Sequence, residues 1–160
     1  MSEWNGQRPA QEEHRLLMFT ISGNVFAIPA EPVQEVIPVP ALARVPRSPA
    51  WLLGLMNLRG EVLPVVDPRA ALNCVPHSPG PVARVIVLIC SRGRVGLLAD
   101  STEDVVSVHQ ADLLPADHAG KPLVQAAVGL VLHRDRLAAI IDAEAFFSGP
   151  AFRNGAALTP

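Results

Sequence analysis

The 160-residue chain reads as an all-β protein built from two small closed barrels with short helices. Ten short apolar runs are separated by turn residues roughly every 8 to 12 positions, the spacing of small barrels and sandwiches. No long stretch carries the 3.6-residue apolar period of a helix. The third observation is a duplication. Phe26–Glu31 through Glu35–Ile37 matches Val95–Asp100 through Asp104–Val106, with Ala30 on Ala99, Glu31 on Asp100 and Glu35 on Asp104. Further on, Gly54 falls on Gly129, Arg59 on Arg134 and Asp67 on Asp142. A repeat of this length is a duplicated subdomain, far longer than a solenoid unit.

Leu16–Ile21 and Val25–Ile28, joined by Ser22-Gly23-Asn24, form a hairpin with turn residues where a turn needs them. Val33–Ile37 alternates apolar and polar, which marks a half-buried strand. Prolines 38, 40, 46 and 49 then impose an extended connection. Leu52–Leu58 and Val62–Val66 are two arms around Arg59-Gly60-Glu61, the tip of a signature hairpin, where Gly60 supplies the turn conformation. Asp67 followed by Pro68–Leu72 predicts an N-capped short helix. Residues 76–82, rich in proline, read as a linker between the copies.

The second copy repeats this with strands at 85–89, 94–98, 105–109, 128–132 and 137–141, and with Asp142 capping a short helix over 143–147. Ser101–Asp104 reads as a turn with local backbone capping. The expected division is a frayed tail at 1–13, a first barrel at 14–82, a second at 83–149 and a tail at 150–160.

Composition narrows the function. Hydrophobic residues make up 49% of the chain, enough for a packed core and too many for a disordered tail. A net charge of −2 argues against a general nucleic-acid or acidic-lipid surface. The start lacks the apolar core of a signal peptide, and the longest apolar run is too short to span a bilayer, so the expected location is cytoplasmic. Cys74 and Cys90 show no paired or metal spacing and read as reduced thiols. Histidines 14, 77, 109, 118 and 133 have no metal-binding spacing, and no phosphate loop occurs. No nucleophile with a base and an orienting group can be assembled, so neither catalysis nor a cofactor is expected. An oligonucleotide-binding barrel would need aromatic platforms beside basic grooves. With no tyrosine, five Phe and two Trp, this chain offers few.

Three motifs stand in order: Phe26–Ile37, Gly54-Leu-Met-Asn-Leu-Arg-Gly-Glu-Val-Leu-Pro-Val-Val-Asp67 and Val95–Asp100. Through them the chain resembles the CheW-like adaptors of bacterial chemosensory arrays over roughly residues 14 to 148. The resemblance implies two pseudo-symmetric five-stranded SH3-like barrels and a non-enzymatic role. In that role the protein couples methyl-accepting receptor tips to the regulatory domain of a CheA-type histidine kinase, with weak self-association in rings. A surface-sensing or pilus-motility pathway is the alternative setting, and a small-ligand or nucleic-acid-binding barrel the remote one.

Carried over to this sequence, the resemblance places receptor contact at Val33, Glu35, Gly54, Arg59 and Val105. Glu35 and Arg59 are expected to form a cross-strand ion pair that fixes the guanidinium. Other readings remain open: Arg59 as a solvated hairpin tip, Val33 and Val105 as core valines, Gly54 as a point of close backbone approach. Gly60, Asp67 and Asp142 are expected to be structural. The second-copy turn, His133-Arg134-Asp135-Arg136, lacks the usual glycine and puts the kinase contact of that copy in question.

Overall fold

The computed structural model describes residues 12–75, 77–116, 126–149 and 152. Ten strands occur: β1 Glu13–Ile21, β2 Asn24–Pro29, β3 Val33–Pro38, β4 Leu52–Leu58, β5 Glu61–Val66, β6 Arg84–Cys90, β7 Gly93–Ala99, β8 Ser101–His109, β9 Ala127–His133 and β10 Arg136–Ile141. Helix α1, Ala143–Phe147, follows β10. Every strand expected from sequence is present, with ends within one to four residues.

Two local expectations are corrected, and one short element is added. Pro68–Leu72 is a run of turns and not a helix, closed by Leu72 N–H donating to the Pro68 carbonyl at 3.0 Å and ending at Asn73 with φ +55°. Its cap residue spends its carboxylate on the Arg69 side chain as well as on the Arg69 amide. Ser101–Asp104 is strand, because Ser101 and Thr102 pair with Thr20 and Phe19 beyond a bulge in β8. A short 3₁₀ turn at Gln110–Asp112, invisible to apolar periodicity, ends that strand.

The strands form two five-stranded sheets, in the orders β8-β1-β2-β10-β9 and β3-β6-β7-β5-β4. Applying the repeat to the first order reproduces the second, so the duplication is real in three dimensions. The expected split at residue 82 is not the split between sheets. Each sheet combines the opening hairpin of one copy with the last three strands of the other. The exchange is made where β2 runs parallel to β10 and β5 parallel to β7. Sequence similarity shows which strands correspond, whereas partner choice depends on pairings between residues far apart in the chain.

Side-chain alternation explains why the opening strands look uniformly apolar. In β1, Leu16 and Met18 point into one sheet's own interior with Val25, Ala27, Val131, Ala138 and Ile140. Leu17, Phe19 and Ile21 point the opposite way, into a core shared by both sheets with Ile28, Ile86, Leu88, Leu97 and Ile141. Met56, Leu63, Val65, Val85 and Val87 fill the second sheet's interior. A strand buried on both faces has no polar side to display. Helix α1 closes one end of the shared core with Phe146 and Phe147, capped as predicted by Asp142, whose Oδ2 accepts from the Ala145 amide at 2.8 Å.

The tails are shorter than expected. Residues 1–11 and most of 150–160 lie outside the described residues, but Glu13 already belongs to β1. Phe152 is buried against Trp51, Phe146 and Phe147. Cys74 and Cys90 are free thiols, and burial pushes both above the ordinary thiol pKa. Among the described residues no helix is long and apolar enough to cross a membrane.

Candidate docking site

The β4–β5 hairpin turns on two residues, Arg59 at φ +49° and Gly60 at φ +87°. Both left-handed positions are what a two-residue turn matched to strand twist requires. Asn57 fixes the tip, its Oδ1 accepting from the Gly60 amide at 2.8 Å. The geometry therefore holds Arg59 at a rigid corner with its side chain two-thirds exposed.

Glu35 meets it from β3. Arg59 Nη1 and Nη2 donate to Glu35 Oε1 and Oε2 at 2.7 and 2.6 Å, a two-point clamp. The expected cross-strand ion pair is present, and it joins strands that are not neighbours in the sheet order. β3 and β4 are the two edges of the second sheet, so the clamp bridges the sheet's ends. A bulge between Val33 and Glu35 shifts the β3 register and aims Glu35. An exposed pair of this kind contributes only about 0 to 1 kcal/mol to folding. Its effect is to immobilise the guanidinium while leaving further N–H donors facing out.

A second arginine, missed in the sequence, completes this end of the sheet. Arg94 of β7 donates through Nε to Gln34 Oε1 at 2.8 Å and through Nη1 to Glu61. No sequence signal marks it, because its partners lie 60 and 33 residues away.

The remaining expected contact residues separate into different roles. Val33 is half-buried and packs against the shared core. Val105 lies on β8 in the other sheet, opposite Leu17, and is 44% exposed. Gly54 is buried, which removes it from the surface. A Cβ there would sit 2.7 Å from the Ala43 carbonyl oxygen. Ala43 and Leu55 exchange backbone hydrogen bonds at 2.9 and 2.8 Å, so the proline-rich connection crosses β4 right beside Gly54. The other sheet repeats this device with Leu114 across Leu130, beside Gly129. Asp67 lies away from the clamp and pairs with Arg69 at 2.8 Å.

The clamp itself is not duplicated. The counterparts of Glu35 and Arg59 are Asp104 and Arg134, yet the close approach found there is His133 Nε2 to Glu103 Oε2 at 3.5 Å. Arg134 and Asp135 carry φ +49° and +61°, so this turn keeps the left-handed shape without a glycine. A left-handed non-glycine costs about 1–2 kcal/mol, partly offset by the entropy glycine would lose. Asp135→Gly is accordingly expected to stabilise by about 0.5–1 kcal/mol, raising Tm by about 2 °C. An unchanged or lower Tm in thermal unfolding would contradict a strained turn.

Helix α1 is tied to the β6–β7 turn. The Ser91 hydroxyl and amide donate to Glu144 at 2.7 and 2.5 Å and hold its carboxyl below the usual range. Among the described residues, no three His, Cys, Asp or Glu side chains gather as a metal site.

Residues 15–151 match the family described as the CheW-like domain. The chain is 33% identical over 139 residues to a probable chemotaxis protein CheW of Rhizobium etli, covering 86% of this chain and 90% of that protein. It is 29% identical to the chemotaxis protein CheW of Bacillus subtilis, over 82% and 85% of the two chains. Identity to protein FrzA of Myxococcus xanthus is 30%, over 76% of each chain. The crystal structure of the scaffolding protein TtCheW from Thermoanaerobacter tengcongensis superposes with a TM-score of 0.77 at 18% identity, over 94% and 96% of the two chains, which speaks to the fold.

Proposed function

The chain belongs to the CheW-like domain family, and from that premise we propose that it is a scaffold of a chemotaxis-type array, joining methyl-accepting receptor tips to the regulatory domain of a CheA-type histidine kinase in the cytoplasm. The observation that carries this reading is the Glu35–Arg59 clamp: an exposed arginine on a rigid turn, held in place before any partner arrives. A receptor tip is a helical hairpin, and such a partner needs an apolar seat with a few orienting charges. Half-buried Val33 lies on the same strand as Glu35, and the fixed guanidinium stands ready for a polar or acidic receptor side chain. Holding a long side chain in place beforehand saves about 0.5–1.5 kcal/mol of ordering on binding. No group in this arrangement is set up to make or break a covalent bond.

Arg59→Ala tests the reading. Stability is expected to fall by less than about 1 kcal/mol, because the pair is exposed. Affinity for a receptor cytoplasmic tip, measured by calorimetry, is expected to drop at least about tenfold, as for an arginine anchor in an interface. The exchanged pair Glu35→Arg with Arg59→Glu keeps attraction across the sheet but presents the wrong sign, and should also fail to bind. Unaltered binding by both variants, or a wild type that binds neither receptor tip nor kinase domain, would overturn the proposal.

A further inference from the structure

The direction in which Glu35 points depends on an interrupted ladder. In β3 the register jumps from Val33 opposite Leu88 to Glu35 opposite Val87, so Gln34 is the extra residue of the bulge, without a partner on β6. Backbone pairing does not fix the strand at such a residue. A side chain does so here. Arg94 donates through Nε to Gln34 Oε1 at 2.8 Å and through Nη2 to the same oxygen. Through Nη1 the same guanidinium donates to the carboxylate of Glu61, the first residue of β5.

Arg94 therefore ties the residue before Glu35 to the hairpin tip that carries Arg59. The contacts close into a ring: Glu35 to Arg59, along Gly60 to Glu61, across to Arg94, on to Gln34 and back to Glu35 through one peptide unit. β7 is the middle strand of its sheet, and the clamp joins the two edges. Arg94 lies opposite Ile89, on the face that carries Val85 and Val87 into the barrel interior, so its stem starts from packed core. Its side chain is 26% exposed, against 67% for Arg59. Arg94 is thus covered and bonded within the chain, while Arg59 stands out from it.

The duplication supplies an internal comparison. By the repeat, Arg94 corresponds to Val25, Gln34 to Glu103 and Glu61 to Arg136. Val25 is buried in the other barrel and bridges nothing, and Arg136 reaches the Gly23 carbonyl instead. Glu103 Oε2 is buried without a hydrogen-bond partner among the described residues, and the clamp is not formed there. The end that has the arginine has the clamp, and the end that lacks it does not. We infer that Arg94 is a positioning residue for docking: it holds the β3 bulge and the β4–β5 tip at the separation at which Glu35 grips Arg59. This rests on the docking role proposed for the clamp, and Arg94 acts through Arg59 without touching the partner.

The test uses Arg94→Met in the full chain, which keeps the stem and removes every donor. Gln34→Ala, at an exposed position, carries the same test if the first variant fails to fold. Nitrogen relaxation of the Arg59 Nε–H group, measured without partner, reads the clamp directly. Arg59 should be rigid in the wild type and fall to an order parameter below about 0.6, the flexible range, in the variant. Affinity for a receptor cytoplasmic tip should drop about two- to tenfold, since binding must then order one long side chain. In an Arg59→Ala background, Arg94→Met should lower affinity no further, because effects fail to add when one residue acts through another. An Arg59 that stays rigid in the variant overturns the inference. So does a loosened Arg59 with unchanged affinity, or a loss that adds in full to that of Arg59→Ala. A wild type that binds no receptor tip sinks the docking role, whereas the relaxation of Arg59 still decides whether Arg94 holds it.

Discussion

Asp67→Ala is expected to destabilise the protein by about 3–5 kcal/mol, the cost of leaving a buried charge without its partner. Arg69 is 7% exposed and is the one buried charged residue among those described. Its Nε and Nη2 donate to Asp67 Oδ1 and Oδ2 at 2.9 and 2.8 Å, its amide donates to Oδ1 at 3.0 Å, and Nη1 reaches the His77 carbonyl. Removing the carboxylate strands the guanidinium beneath the turns that follow β5. A loss of that size is a large share of the total stability of such a domain. Urea unfolding measures it, and a loss below about 1 kcal/mol would show that Arg69 escapes to water.

The same pair sets an acid response. Burial alone would raise the Asp67 carboxyl, but the hydrogen bonds from Arg69 and the charges of Arg69 and His77 outweigh it and hold the group below its ordinary 3.8. A carboxyl lowered on folding contributes fully above its unfolded pKa and loses that contribution as pH falls through the folded value. Wild-type stability should therefore decline below about pH 4, while Asp67→Ala should lose less over the same interval. Parallel pH curves for the two proteins would contradict the assignment.

The second large effect is at Gly54. Gly54→Ala places a Cβ 2.7 Å from the Ala43 carbonyl oxygen and 3.1 Å from Leu42 Cβ. The first obstacle is backbone, which no rotamer change relieves. Overpacking costs about 1–3 kcal/mol, and pushing the connection away breaks the two Ala43–Leu55 hydrogen bonds, each worth about 0.5–1.5 kcal/mol. A total near 3 kcal/mol is expected, read as a lower denaturation midpoint. The result separates two roles for this glycine. A contact residue would lose partner binding at unchanged stability, whereas a packing glycine loses stability first.

Most of the strand plan was legible because it rests on local signals: alternation in Val33–Ile37, the Arg59-Gly60 turn, the Asp142 cap. The Glu35–Arg59 pair was legible through the resemblance of two motifs, and the structure adds that it spans opposite sheet edges. Arg94 with Gln34 and Glu61 was not legible, nor was the burial of Arg69. An isolated arginine reads as a solvated side chain until the surrounding fold is known. Leu72 and its neighbours carried a helix start signal, yet the Asp67 carboxylate is shared with the Arg69 side chain and the segment closes as turns.

Sequence by itself determined the all-β class, the number and order of strands, and the duplication, since turn chemistry and side-chain alternation act over a few residues. Tertiary structure decided which copy each strand joins, that Gly54 faces a crossing backbone, and that Asp67 supports a buried arginine. Those outcomes depend on contacts between residues dozens of positions apart, or on how closely the chain passes itself, and neither leaves a periodic mark in the sequence.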